Sequence, residues 1–161
     1  LQSLMAYALD AFAHAAETLT GAAWGRRDRR AFVGALEAAT LWAAIFAIGA
    51  AIAYALAGPA ILRLFTEHEA ILQVASLYLP WMVVSPLVSV WSYMLDGVFI
   101  GATRSATMRN AMLLSLLVYL GAAWALVPAA GNHGLWIAFL LFMLARAATL
   151  GAALPALLRR L

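Results

Sequence analysis

The sequence predicts an all-α integral membrane protein, a bundle of five transmembrane helices. Three observations predict it. Of the 161 residues, 66% are hydrophobic and 11% are charged, against about 45–50% and about 25% in soluble domains. Mean hydropathy is high, at +0.94. The charges are gathered largely between five apolar stretches, each near the ~20 residues that cross a bilayer core. Every basic residue apart from the histidines is arginine. A pI near 9.8 would suit nucleic acid, but these arginines sit in loops between apolar segments, where such charge sets membrane topology. The expected partner is therefore the lipid bilayer, with no nucleic acid. The absence of cysteine excludes disulfides and thiolate metal sites.

The first segment, about 1–24, begins inside an apolar run, with no charged lead-in and no small-residue cleavage site. It therefore reads as part of a longer protein, truncated at the N-terminus, and not as a signal peptide. It is also the most polar segment. Asp10, His14 and Glu17 recur at steps of four and three and share one helical face, with Ser3, Tyr7 and Thr18 on or beside it. Lipid does not tolerate such a stripe, so it must meet protein or water.

The second segment, about 35–56, is expected to stop at Gly58-Pro59. Glu37 at its start reads as a charge that favours the helix dipole. The third, about 71–100, contains Pro80 and Pro86, which predict a kink or break a third of the way along. Beyond them Ser85, Ser89, Ser92 and Asp96 form a second polar stripe. Serines so placed pack helices closely; with Asp96 completing the row, they also read as lining a shared polar cavity. The fourth segment, about 110–127, is closed by Pro128 and a turn over Gly131-Asn132-His133-Gly134. The fifth, about 135–157, has Pro155 near its end and Arg159-Arg160 as a tail. Trp24, Tyr78, Trp81, Trp124 and Trp136 lie near segment ends, as interfacial anchors do.

Five alternating crossings place Arg26, Arg27, Arg29, Arg30, Arg104, Arg109, Arg159 and Arg160 on one side. The other side has Arg63, offset by Glu67 and Glu69. This asymmetry predicts a cytoplasmic C-terminus. Arg146 falls within the fifth segment and needs a partner, since a central arginine costs about 2.5–3.5 kcal/mol to insert. Counted from the arginine-rich end at the ~1.5 Å helical rise, Glu17 lies roughly 10 Å in, His14 roughly 15 Å, Asp10 roughly 21 Å, Arg146 roughly 16 Å and Asp96 roughly 7 Å. Glu17 is thus the expected partner of Arg146, and Asp96 only if the arginine leans towards its own end. Asp10 is left as the carboxylate free to carry a proton.

The Asp10, His14 and Glu17 stripe has two readings: a protonation or cation site that changes charge between conformations, or a static ion-pair network. For Asp96 and Arg146, a structural pair is the leading reading. Asp10 and His14 could also share a metal ion, but no HExxH, G-x-S-x-G, Walker or Rossmann pattern accompanies them. No enzyme, resident metal or cofactor is expected.

Ala6 to Arg30, AYALDAFAHAAETLTGAAWGRRDRR, resembles the eighth helix and following loop of multidrug and toxic compound extrusion (MATE) transporters. Val88 to Leu113, VSVWSYMLDGVFIGATRSATMRNAML, resembles the tenth helix and its loop, especially in the DinF-type branch. Gly131 to Phe139, GNHGLWIAF, is similar to the start of the twelfth. The resemblance implies that residues 1–161 form most of one six-helix bundle of a twelve-helix antiporter, the C-terminal lobe, and that the N-terminal lobe is a missing partner. It implies alternating-access export of small organic cations from the bacterial inner membrane, driven by protons or sodium, and a lone lobe that does not transport. The family's sodium-ligating carboxylate would fall near Ser89, so Asp96 does not inherit that role. Protons are the favoured coupling ion. A lipid-linked oligosaccharide flippase of the same superfamily is the alternative, and an intramembrane metal-dependent enzyme a more distant one.

Overall fold

Five helices occupy nearly the whole chain; α1 matches its predicted segment to within a residue, and the other four extend theirs at both ends. The computed structural model describes residues 1–161. Its elements are α1 (Gln2–Gly25), α2 (Arg29–Arg63), α3 (Glu69–Gly101), α4 (Ser105–Ala130) and α5 (Asn132–Leu158). By length and composition α2 to α5 can each cross a membrane. α1 has 24 residues, enough to span, but its ionisable stripe makes it the most polar of the five. Large apolar side chains such as Trp42, Leu117 and Trp124 stay exposed, as a surface that meets lipid requires.

Three expected breaks are absent. α2 does not stop at Gly58-Pro59 but runs through Pro59 to Arg63. Its last carbonyls are met by the amides of Leu64, Phe65 and Thr66. α3 is unbroken through Pro80 and Pro86; a proline removes one donor, and α3 is flanked by every other helix. α4 likewise continues through Pro128, and the predicted four-residue turn shrinks to Gly131, at φ 56°. The start of α2 also differs. It begins at Arg29, with Asp28 as its cap, the carboxylate accepting from the Ala31 amide at 2.9 Å. Glu37 therefore lies two turns inside the helix and is not its capping charge.

α3 is the axis of the bundle. It packs on α1, α2, α4 and α5, while α1 and the α4–α5 hairpin make no substantial contact with each other. The α1 contact is backbone against backbone. A Cβ at Gly97 would overlap the Ala13 carbonyl, and one at Gly101 would lie 2.5 Å from the Glu17 carbonyl oxygen. Gly21 in turn faces Gly101. Small residues permit this approach, as they do generally between membrane helices. At the other end the Ser85 hydroxyl bonds the Gln2 side-chain oxygen at 3.0 Å. Gln2 opposite Ser85, Ala13 opposite Gly97 and Glu17 opposite Gly101 keep an almost constant register, so the helices run parallel without slipping.

α5 also keeps step with α3. His133 stacks on Tyr78 with centroids 4.9 Å apart and accepts from the Trp81 indole at 2.9 Å, and near the other end Gly151 opposes Leu95. α1, α3 and α5 therefore form a parallel set with α3 in the middle.

α1 and α3 end alike. Arg27 and Thr103 adopt positive φ (53° and 56°). The Asp28 amide bonds the Ala23 carbonyl, and the Arg104 amide bonds the Phe99 carbonyl, at 3.0 and 2.9 Å. These are paired Schellman endings, and they put Asp28 and Arg104 at equivalent places. Asp28 caps the next helix; Arg104 makes no side-chain cap.

Gly97→Val is expected to lose most folded protein, beyond the ~1–3 kcal/mol of ordinary overpacking, because backbones must part. Gly34→Ala, with nothing within 4 Å, should be neutral. Yield of monodisperse protein in size-exclusion chromatography compares the two; wild-type yield from Gly97→Val would contradict the close crossing.

Candidate functional site

The ionisable side chains fall into two groups on either side of α3. On α1, the His14 ring bridges two carboxylates, Nδ1 to Glu17 at 3.2 Å and Nε2 to Asp10 at 3.5 Å. The Thr18 hydroxyl donates back to the His14 carbonyl at 2.9 Å, which keeps it within the helix. The buried seam of α1, Met5, Leu9, Ala13, Ala16, Thr20 and Ala23, lies roughly a third of a turn from the stripe. Consequently the stripe is uncovered by this chain: 52% of the Asp10 side chain, 69% of His14 and 35% of Glu17 are exposed.

The second group is a two-pronged ion pair. Arg146 donates from Nε to Asp96 Oδ1 at 3.0 Å and from a terminal nitrogen to Oδ2 at 2.9 Å. Both side chains are mostly buried between α3 and α5, and two parallel charge-assisted bonds make this the strongest polar contact type available to them. The expected partner, Glu17, is not used, because α1 does not pack on α5. Depth measured from helix ends misleads here, since α1 runs past the end of α3, and Glu17, level with Gly101, lies nearer the arginine-rich end than either Asp96 or Arg146. With Gly151 level with Leu95, Arg146 sits about six residues, or ~9 Å, further from the arginine-rich end than Asp96. Its long stem leans back to reach the carboxylate.

Tyr93 lies by position between the two groups and is not among the residues singled out from the sequence. The α1–α3 register sets Asp10 level with Met94, next to Tyr93. The sequence did contain a signal: Tyr93 lies three residues before Asp96, on the same helical face.

The serine row has a different setting from a cavity wall. Ser85, Ser89 and Ser92 are buried along α3. Ser85 is bonded to Gln2, and the Ser89 hydroxyl is buried without a partner. They pack; they do not line open space. One open cleft, of about 340 Å³, lies between the start of α1 and the α4–α5 hairpin, lined by Gln2, Tyr119, Asn132, Leu135, Trp136 and Phe139; a larger one, of about 480 Å³, lies beside Glu37, Trp91 and Gly151. Asp10, His14 and Glu17 follow the helix and do not converge into a group able to hold a metal ion.

An all-helical membrane bundle with one neutralised ion pair and one uncovered acidic stripe defines a class, the polytopic membrane proteins that keep charge at depth. The family model described as MatE matches residues 1–125, and the chain belongs to that family. Over 156 residues it is 42% identical to DNA damage-inducible protein F of Escherichia coli (strain K12), an alignment covering 94% of this chain and 33% of that protein. The chain thus spans about a third of the length of this curated relative. No solved structure matches. Arg146 lies beyond the residues that the family model matches.

Arg146→Ala should reduce folded protein, since stripping one partner from a buried pair costs about 3–5 kcal/mol. Asp96→Leu combined with Arg146→Met should restore most of it. Thermal unfolding in detergent distinguishes these outcomes; an undiminished Tm in Arg146→Ala would show that the pair is not structural.

Proposed function

We propose that this chain is the C-terminal lobe of a MATE transporter, contributing its eighth to twelfth helices, and that the whole protein exports organic cations in exchange for protons by alternating access. One observation carries the reading. Of the carboxylates Asp10, Glu17 and Asp96, arginine neutralises only Asp96, and the other two lie on the one face of α1 that this chain leaves uncovered. A surface at membrane depth with two carboxylates and a histidine attracts cations. Carboxylate and imidazole are also the side chains most used to pass protons. His14 lies 3.5 Å from Asp10 and 3.2 Å from Glu17, so one ring joins the two acids.

Repeated bundles facing a midplane site are the usual architecture of secondary transporters. A single lobe cannot enclose such a site, and the activity proposed is that of a protein of the relative's full length. The arginine-rich end is assigned to the cytoplasm of a bacterial inner membrane by its charge excess. An anionic lipid-linked substrate is less well served, since the one arginine at depth is already committed to Asp96.

In the full-length protein, Asp10→Asn or Glu17→Gln should reduce proton-driven export of a fluorescent organic cation to near background, at unchanged abundance in the membrane. Everted vesicles energised with a proton gradient provide the measurement. Wild-type export from both variants would exclude the stripe from coupling.

A further inference from the structure

A second site is formed at the arginine-rich end of the bundle. There the turn after α3, the start of α4 and the end of α5 border an open pocket of about 100 Å³, lined by Phe99, Arg104, Thr107, Ala156, Leu157 and Arg160 among others. At ~30 Å³ per water, it holds about three waters, well short of the ~300 Å³ at which pockets accept drug-sized molecules. It is, however, large enough for a tetrahedral anion. Its chemistry is one-sided: two guanidinium groups and a hydroxyl, with no acidic residue in the lining.

Neither arginine is committed elsewhere. No carboxylate lies within salt-bridge reach of Arg104 or Arg160, since the ion pairs of this chain involve only His14 and Arg146 as cations. Arg104 is positioned nonetheless. Its guanidinium lies over the Trp24 ring, 5.5 Å from the centroid, and its backbone is fixed by the Schellman ending of α3. Two like charges held beside one small cavity repel each other unless an anion sits between them. The other walls, Phe99, Ala156 and Leu157, are apolar; Phe99 and Leu157 are buried, and Ala156 is exposed.

We infer that this cavity binds a phosphate group carried by an anion, with Arg104 and Arg160 as its charged ligands and Thr107 as a hydroxyl donor. Guanidinium forks match phosphate oxygens in geometry as well as charge. Two sources share that chemistry: the headgroup of an anionic phospholipid, whose acyl chains would follow the apolar walls, and a free phosphate. Basic pockets at helix ends facing an anionic leaflet recognise lipid headgroups in this manner. A choline headgroup is a poor fit, because its own cation would face the arginines.

Thermal unfolding of delipidated full-length protein, titrated in separate arms with phosphatidylglycerol in mixed micelles, phosphatidylcholine in the same micelles, and inorganic phosphate, tests the inference. Phosphatidylglycerol should raise Tm and phosphatidylcholine should not. A matching rise with inorganic phosphate alone would support the site and assign it to a free anion. Arg104→Gln with Arg160→Gln should demand about a hundredfold more of the effective probe, the equivalent of two charge-assisted contacts at about tenfold each. Should that double variant fold poorly, Arg160→Gln alone, at an exposed position, should still shift the titration the same way. Arg30→Gln with Arg109→Gln removes equal charge from the same end outside the cavity and should leave the titration unmoved. Equal weakening in both double variants would overturn the inference in favour of diffuse surface charge. So would the absence of any stabilisation of the wild-type protein by phosphatidylglycerol or phosphate.

Discussion

The backbone contact between α1 and α3 is the constraint on which the other features depend. Gly97 and Gly101 admit the carbonyls of Ala13 and Glu17 so closely that neither helix can slide past the other. A shift of one residue would turn a side chain into a space that holds only a glycine hydrogen. The register fixed there propagates in both directions along α1, to the Gln2–Ser85 hydrogen bond at one end and to the matched Schellman endings at the other. Everything polar is then placed as a consequence. Asp10 comes level with Met94 and beside Tyr93, and the stripe of α1 is rotated out of the seam into the open.

That rotation explains why two acidic groups at similar depth have different fates. Asp96 lies on the flank of α3 that meets α5, where Arg146 can lean onto it and satisfy both oxygens. Asp10 and Glu17 lie on the flank of α1 that meets nothing in this chain, where the only cationic group in reach is the conditional one, His14. The bundle therefore separates an arginine-paired carboxylate from two carboxylates that no arginine reaches by one helix width.

Much of this was legible in the sequence, for reasons that follow from what a pattern can encode. Hydropathy and arginine placement give five helices because membrane spans answer to composition and length. The i, i+4 and i, i+3 spacing gives the α1 stripe because neighbours on a helix are a matter of period. The errors come where neighbours are not on the same helix. Glu17 looks level with Arg146 only while helix ends are assumed to lie in one plane; the extension of α1 past the end of α3 is a tertiary property. Pro59, Pro80, Pro86 and Pro128 looked like breaks because local chemistry disfavours them, yet packing on adjoining helices holds the chain helical through all four. The serine row was visible as a face, but whether that face meets a cavity or a helix is decided by Gly97 and Gly101, which read in isolation as mere small residues.

The two glycine-led turns at the arginine-rich end show how one local fold serves two purposes. Gly25-Arg26-Arg27-Asp28 and Gly101-Ala102-Thr103-Arg104 close α1 and α3 with the same hydrogen bonds and the same positive φ at the third position. Of the three positions that differ, the fourth decides how the turn is completed. Asp28 turns its carboxylate onto the next helix and completes the turn from within the chain. Arg104 can complete nothing from within, because an arginine has no acceptor to offer an amide; it is held over Trp24 and directed to the cavity it shares with Arg160. With backbone geometry held constant, the change from an acceptor to a cation converts a self-contained cap into a charge that must be balanced from outside the chain. That is the same physical situation as the α1 stripe with the sign reversed: negative groups left open at depth on one helix face, and positive groups left open at the rim.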